Sequence, residues 1–364
     1  MKIVSFVKRE IVLCIAFVAA LVSVFFVPPD VGYTEYIDTH VLILLFCLMA
    51  VVAGVQKCGL LEKFAHVLCK GEKSLKTIIT ILVLLCFFTS MLITNDVALI
   101  TFVPFAVLVL DLIGMNKYLI FTIVMQTIAA NLGSMATPVG NPQNLYLYSK
   151  FGMSILDFCG NVLPISLVSL FLIIICTICI KNEKVNVAFE KTAEIEQGKK
   201  LILWLGLFAL CLLCVFHIVN DYILLGTVLV ALVVCEREIF KKVDYSLLVT
   251  FVFFFIFAGN IARIDIIREF IAGQMANNAK ATTLIMSQVI SNVPAAVMLS
   301  NFTNNGEILL THTNIGGLGT IIASLASLIS FKIYAKCENA NILKYFTVFT
   351  LFNVLFLFVL CMIF

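Results

Sequence analysis

Charged side chains are scarce in this sequence: Asp, Glu, Lys and Arg make up 12% of its 364 residues, about half their share in soluble domains. Hydrophobic residues make up 62%. Apolar runs of about 20 residues recur along the chain, and each is long enough to cross about 30 Å of hydrocarbon as a helix. The alternating pattern of membrane β-barrel strands is missing. These features exclude a soluble domain and predict an all-α, polytopic membrane protein.

Other missing features narrow the function. No nucleotide-binding loop of the Gly-x-x-x-x-Gly-Lys type is present, so ATP is not expected as a direct driver. The apolar segments hold no nucleophile with a base, no paired aspartates and no metal cluster, so an enzyme is not expected. A net charge of +3, with basic residues in short groups, gives no support for a nucleic-acid partner. The expected partners are the lipid bilayer and a small molecule or ion, without a cofactor.

The apolar runs predict nine full crossings and two re-entrant hairpins. The crossings fall at about 10–27, 40–57, 118–149 (interrupted), 155–180, 201–219, 221–235, 245–262, 307–331 (interrupted) and 341–364. The hairpins fall at about 75–113 and 281–303. With a cytoplasmic N-terminus, all of the 24 Lys and Arg except Lys150, Arg263, Arg268 and Lys280 face the inside, in agreement with the positive-inside rule. We therefore expect a plasma (inner) membrane protein with an extracytoplasmic C-terminus.

Three pairs of segments recur in the same order on either side of a polar stretch at residues 181–200. Ala53–Phe64 is similar to Ala258–Phe270, Ile93–Ala98 to Ile290–Ala295, and Asn131–Gly140 to Asn314–Ala323. Five crossings separate the two copies, so they face opposite ways. The sequence thus predicts a first inverted repeat at 1–180, a cytoplasmic linker at 181–200 and a second inverted repeat at 201–364. Inverted repeats are typical of secondary transporters, which bind substrate near the membrane midplane.

The first predicted hairpin carries Thr94, Asn95 and Asp96 at its centre, within a very apolar stretch. Irregular polar backbone at this depth is tolerated only where protein or a water-filled cavity surrounds it, so it predicts a binding site. An ordinary pair of crossings with an outside turn is the alternative. A buried Asp96 carboxylate is costly unless a cation or proton accompanies it, which favours sodium or proton coupling. The alternative for Asp96 is a helix cap.

The stretch NLGSMATPVGNPQN, residues 131–144, interrupts the third crossing. Gly133, Pro138, Gly140 and Pro142 disfavour a continuous helix. At such a break, the N-terminus of a half-helix favours an anion, whereas freed carbonyls and Asn, Ser or Thr oxygens favour a cation. NIGGLGTIIASLAS, residues 314–327, is the less polar counterpart in the second half.

The chain resembles the ion transporter superfamily, which includes divalent-anion/sodium symporters, citrate transporters, arsenite permeases and one class of sodium/proton antiporters. The resemblance covers residues about 10–364 and rests on LITNDVALITFVPF, NLGSMATPVGNPQN, VISNVPA and NIGGLGT in this order. It is greatest to bacterial permeases with a citrate-transporter domain, close to the arsenite-permease branch. The resemblance implies a homodimer in which each chain has a scaffold domain and a transport domain, with two hairpins meeting two broken helices.

The resemblance also implies two sets of site residues at the hairpin tips and helix breaks. The substrate-binding set is Thr94, Asn95, Asp96, Thr137, Gly140, Asn141, Asn144, Ser291, Asn292 and Thr320. The set for sodium ions or protons as coupling ions is Ser90, Asn95, Asp96, Asn131, Gly133, Ser287, Asn292, Asn314 and Gly316.

Two departures bear on the substrate. Dicarboxylate symporters have Thr at the third position of each tip, where this chain has Asp96 and Val293. No Lys or Arg lies inside a predicted core helix, which favours a small or weakly charged solute. The sequence therefore predicts a secondary active transporter that moves a small anion or oxyanion with sodium or protons by alternating access. An arsenite-type efflux permease or a sodium/proton antiporter is the alternative, and a channel is a further one.

Overall fold

The computed structural model describes residues 10–189, 198–337 and 340–364, and most of these residues are helical. The helices before residue 180 are α1 (Ile11–Phe26), α2 (Tyr33–Tyr36), α3 (Thr39–Lys57), α4 (Leu60–Cys69), α5 (Leu75–Ile93), α6 (Asn95–Leu112), α7 (Leu119–Ser134), α8 (Pro142–Lys150) and α9 (Ile155–Ile178). The later helices are α10 (Gly198–Val215), α11 (Asp221–Cys235), α12 (Tyr245–Arg263), α13 (Asp265–Ile290), α14 (Asn292–Leu299), α15 (Gly306–Ile315), α16 (Leu325–Tyr334) and α17 (Ile342–Ile363). Short 3-10 helices cover Asn116–Tyr118 and Arg237–Lys241.

Within the described residues, seven helices are long and apolar enough to cross a membrane. These are α3, α5, α6, α9, α10, α12 and α17. Polar side chains cap the N-termini of several of them: those of Asp38, Ser74, Ser154 and Asp244 each accept a hydrogen bond from a backbone N–H of the first turn, which satisfies a donor that the helix leaves unpaired. The prediction of an all-α, polytopic membrane protein is confirmed.

The two interrupted crossings each consist of two helices with non-helical residues between them. Residues 135–141 separate α7 from α8, and residues 316–324 separate α15 from α16. Pro142 stands at the first turn of α8, where its missing N–H costs nothing, and the Asn141 side chain caps that turn by accepting from Asn144 N at 2.9 Å. The first break therefore follows directly from local sequence.

Each segment predicted as a hairpin contains two helices joined at one residue. Thr94 joins α5 to α6 with φ of 71°, and Ser291 joins α13 to α14 with φ of 75°. The arms α5 and α6 have 19 and 18 residues, about 28 and 27 Å. The second hairpin differs from its predicted bounds of 281–303: α13 starts at Asp265 and is non-helical at Asn278, and α14 ends at Leu299.

The predicted linker at 181–200 is partly structured. Strand β2 (Lys184–Val187) pairs antiparallel with β1 (Gly71–Ser74), with Gly71 opposite Val187. Val187 is buried in one hydrophobic cluster with Cys69 and Ile78. The burial of its side chain therefore stabilises the strand in addition to the hydrogen bonds between β1 and β2. Helix α10 begins at Gly198, and residues 190–197 of the predicted linker lie outside the described residues.

The two hairpins and the two interrupted helices interlock. Helix α7 packs against both arms of the first hairpin, α5 and α6, while α16, which follows the second break, packs against α6 and α7. In the same way α15 packs against α13 and α14 of the second hairpin, while α8, which follows the first break, packs against α14 and α15. This exchange of partners brings both breaks to the centre of the fold.

Candidate functional site

Each hairpin tip is hydrogen-bonded to a helix break through its backbone. Asn95 N donates to Gly140 O at 3.1 Å, and Asn292 N donates to Ala323 O at 2.9 Å. Gly140 and Ala323 are the last residues of the matched segments found in the sequence. Each contact lies within one half of the chain, and the atoms that form it correspond to those of the contact in the other half.

A second pair of contacts also corresponds between the halves. Thr137 Oγ1 donates to Met91 O, and Thr320 Oγ1 donates to Gln288 O at 3.2 Å. Thr137 and Thr320 occupy the same register in the two breaks, and Met91 and Gln288 lie three residues before the two tip residues. The tips are thus fastened at two points, which restricts how far a tip can move without its break.

Buried side chains then link the two halves directly. Asn131 Oδ1 accepts from Asn95 Nδ2 at 3.2 Å and from Ser324 Oγ at 3.0 Å. Because Ser324 follows Ala323, which accepts from Asn292 N, a short chain of hydrogen bonds connects the two hairpin tips. Asn131 Nδ2 is buried without a hydrogen-bond partner among the described residues.

The corresponding asparagine of the second half makes the same kind of link. Asn314 Oδ1 accepts from Asn141 Nδ2 at 3.2 Å, and Asn314 Nδ2 donates to Asn144 Oδ1 at 2.6 Å. All three side chains are buried. Buried amides that satisfy one another fix the relative positions of the elements that carry them, because breaking one bond strands a donor or acceptor.

Three glycines allow the backbone to approach closely at the breaks. A Cβ on Gly133 would lie 2.1 Å from Phe87 O, and one on Gly140 would lie 2.0 Å from Ser134 O. A Cβ on Gly316 would lie 2.7 Å from Ser287 Cβ. No larger residue fits at these positions without a shift of main chain or packed side chain.

A cavity of about 500 Å³ opens beside the first tip, within the usual size range of small-molecule sites. Thr94, Asp96 and Asn141 line it together with Lys242 and Asp244, and the remaining wall is mainly apolar. Oδ1 of Asp96 is buried and accepts no hydrogen bond from the described residues, so this oxygen does not cap α6.

Other predicted site residues lie near the breaks rather than on the cavity wall. Ser90 Oγ and Ser287 Oγ donate to carbonyls of their own helices, at 2.9 and 2.8 Å. Asn144 Nδ2 donates to Met135 O and Thr137 O, each at 3.1 Å, so it supports the first break. Ser291 Oγ donates to Ala323 O at 3.2 Å.

Four residues of the site were missed in the sequence. Ser324 lies in the register of Asn141, so the repeat itself contained a signal for it. Gln288 lies three residues before Ser291. Its counterpart in the first half is the apolar Met91, so comparison of the two repeats gave no reason to select it. Lys242 and Asp244 reach the cavity from outside the repeated motifs, and no local pattern pointed to them.

Comparison with known proteins agrees with this architecture. The sequence matches the citrate transporter family (CitMHS) over residues 3–305. It is 34% identical over 302 residues to the uncharacterized transporter MJ0456 of Methanocaldococcus jannaschii, covering 82% of this chain and 80% of that protein. It is 28% identical over 320 residues to the inner membrane protein YbiR of Escherichia coli, covering 85% of this chain and 83% of that protein.

A third relative has a more specific name. The silicon efflux transporter LSI3 of Oryza sativa is 27% identical over 186 residues, covering 50% of this chain and 37% of that protein. The family and two of these relatives are named as transporters, so the prediction of a transporter rather than an enzyme is confirmed. With its helical spans, its two tips and its two broken helices, this chain is an integral membrane protein that belongs to the citrate transporter family.

Proposed function

We propose that this transporter is a secondary active carrier that moves a small anion or oxyanion, coupled to sodium or protons, by alternating access. The two halves are proposed to be inverted repeats, and the substrate binds where their tips and breaks meet. The supporting observation is the pair of corresponding contacts, Asn95 N to Gly140 O and Asn292 N to Ala323 O. A site built twice from the same contacts is typical of carriers with inverted repeats, in which alternating access moves one repeat against the other.

The charges around the cavity support a solute of low charge. Among the described residues of its lining, Asp96, Asp244 and Glu10 are acidic and Lys242 is basic, a balance that disfavours a multiply charged anion. Asn131 Nδ2, which has no hydrogen-bond partner among the described residues, is proposed to donate to a single oxyanion group. Asp96, with its unpartnered Oδ1, is proposed to carry the coupling proton or to contribute to a sodium site.

Efflux of a weakly charged species of the arsenite type is the second candidate. The mainly apolar cavity wall and the acidic side chain at the tip suit a neutral hydroxylated solute that exchanges for a proton. The name of the rice relative, a silicon efflux transporter, supports the same class of solute. A sodium/proton exchanger would need no polyatomic substrate, so a substrate-dependent response separates it from both candidates. As in the resemblance drawn from its motifs, the protein is proposed to act as a homodimer in the plasma membrane.

The test is a thermal-shift screen of the purified protein against oxyanions, carboxylates and neutral hydroxylated solutes, in sodium chloride and in choline chloride. A ligand at about 100 times its dissociation constant stabilises the folded state by about 2.7 kcal/mol, so a true substrate produces a measurable rise in unfolding temperature. A rise that depends on sodium supports sodium coupling. A rise that depends on pH but not on sodium supports proton coupling.

Two controls give the screen its specificity. Asn141→Ala removes a cavity residue and should abolish the ligand-induced shift, whereas Asn161→Ala, on an exposed part of α9, should retain it. Equal shifts in both variants would mean that the ligand binds elsewhere. In proteoliposomes, flux that saturates and follows an imposed sodium or pH gradient supports a carrier, and unsaturable flux would refute this proposal in favour of a channel.

A further inference from the structure

A second cavity, of about 480 Å³, lies where four helices end. Helices α6 and α16 finish at this cavity, α7 and α17 begin beside it, and residues of all four line its wall. Because α6 and α17 are long and apolar enough to cross a membrane, the level at which they end is the boundary between hydrocarbon and the polar headgroups. The described residues that line this cavity are all different from those of the cavity beside the first hairpin tip.

The charged side chains of this second cavity favour an anionic ligand. Among its described lining residues, Lys117 and Lys344 are basic and Asp111 is acidic. Lys117 belongs to the first half of the chain and Lys344 to the second, so the fold brings the two side chains to one cavity. The Asp111 carboxylate accepts a hydrogen bond from Asn116 Nδ2 at 2.8 Å. The two lysines therefore give the wall an excess of positive charge.

Glu183, which lies close to Lys117, does not remove this excess. Its Oε1 lies 3.6 Å from Lys117 Nζ and also 3.6 Å from Lys181 Nζ, so two lysines share one carboxylate. The Lys117 side chain is 60% exposed, and its Nζ lies 5.2 Å above the centre of the Tyr118 ring. Exposed ion pairs are weak, so the Lys117 ammonium remains able to donate to a ligand.

Exposed apolar side chains stand next to the charged residues of the wall. Leu112, which follows Asp111, is 49% exposed, and Leu343, which precedes Lys344, is 79% exposed. One turn earlier on α6, Leu108 is 47% exposed. On helices that cross a membrane, side chains of this kind contact acyl chains. A basic cavity beside lipid-facing leucines suits a lipid better than a soluble anion, which makes no use of the leucines.

We propose that this cavity binds the headgroup of an anionic phospholipid, with Lys117 and Lys344 on its phosphate and its acyl chains along Leu112 and Leu343. Basic pockets between membrane helices recognise anionic headgroups through the same charge complementarity. With the N-terminus in the cytoplasm, as the distribution of lysines predicts, the lipid belongs to the cytoplasmic leaflet. It contacts helices from both halves of the chain, and the site does not depend on the proposed substrate or coupling ion.

The test measures thermal unfolding of the purified full chain in detergent with added phosphatidylglycerol or phosphatidylcholine. Phosphatidylglycerol should raise the unfolding temperature of the wild type by several degrees more than phosphatidylcholine, whose choline group compensates the phosphate charge. The double variant Lys117→Gln with Lys344→Gln should respond equally to the two lipids. Lys73→Gln with Lys184→Gln is the matched control, because these two lysines line a different cavity beside the β1–β2 sheet; it should keep the wild-type preference.

Three outcomes would overturn the proposal. The first is equal stabilisation of the wild type by the two lipids, and the second is a preference for phosphatidylglycerol that persists in the double variant of Lys117 and Lys344. The third concerns glycerol 3-phosphate, which has the phosphate without acyl chains and should cause no rise at the same concentration. A rise equal to that with phosphatidylglycerol would indicate a site for a soluble anion instead.

If the double variant does not fold in detergent, a salt titration of the wild type replaces it. The preference for phosphatidylglycerol is then measured in about 0.1 M and about 1 M potassium chloride, where the screening length is about 10 Å and about 3 Å. Potassium chloride keeps sodium out of the comparison. The preference should shrink at the higher salt concentration, and an unchanged preference would overturn the role of the two lysines.

Discussion

Replacing Gly140 with Ala tests whether the contact between tip and break is needed for transport. The new Cβ would lie 2.0 Å from Ser134 O, whereas real contacts stay above 3.0 Å, so the backbone has to move by about 1 Å. That movement displaces Gly140 O, which accepts from Asn95 N. Overpacking costs about 1–3 kcal/mol, and the loss of one hydrogen bond costs about 1 kcal/mol more.

We therefore expect Gly140→Ala to lower the unfolding temperature by several degrees and to abolish ligand-induced stabilisation and flux. Gly226→Ala is the matched control, because Gly226 lies in α11 and a Cβ there meets nothing within 4 Å. It should be neutral or stabilising, since Ala exceeds Gly in helix propensity by about 1 kcal/mol. Wild-type stability and flux in Gly140→Ala would refute the close approach on which the site is built.

Three further predictions address coupling, the buried amides and pH. Asp96→Asn should uncouple flux from an imposed sodium or pH gradient in proteoliposomes, because it removes the unpartnered carboxylate oxygen of the cavity; gradient-driven flux equal to wild type would contradict this role. Asn314→Ala should destabilise the fold by about 1–3 kcal/mol in thermal unfolding, because it leaves two buried amides without a hydrogen-bond partner. Asn161→Ala should change the stability little. Equal effects of the two substitutions would argue that the buried amides do not stabilise the fold. The hydrogen bond from Arg263 at 2.6 Å lowers the pKa of Asp30 below its ordinary value of about 3.9. The wild type should therefore be more stable than Asp30→Asn above about pH 4, and this advantage should disappear as the pH falls through the lowered pKa of Asp30. A stability advantage that persists at lower pH would refute the role of the ion pair.

Local patterns in the sequence predicted most of the elements around the site. Pro142 and Gly140 disfavour a continuous helix, and the structure has a break at residues 135–141. Apolar length predicted the long helices, since a helix that crosses lipid needs a nearly unbroken apolar run. The second hairpin was less well bounded, because the kink at Asn278 and the short α14 leave no sharp change of composition.

Local sequence patterns did not predict which distant segments of the chain pair with each other. The strand at Lys184–Val187 exists because it meets Gly71–Ser74, and a segment of four residues contains no signal for a partner over a hundred residues away. Lys242 and Asp244 reach the cavity through the packing of α12 against the rest of the fold, which composition does not report. Gln288 looked like one polar residue in a helix, and only its three bonds to the second break reveal its role.

The sequence by itself determined that this chain lies in a membrane, which segments are apolar helices and where two of those helices must break, because hydrocarbon thickness and the chemistry of Gly and Pro act locally. Only the tertiary structure decided which carbonyls at the breaks are satisfied and by which side chains. The satisfaction of these carbonyls depends on how two halves with matching motifs pack against each other. A one-residue difference, such as Met91 in one half and Gln288 in the other, has an effect only when the partner atoms are within hydrogen-bonding distance.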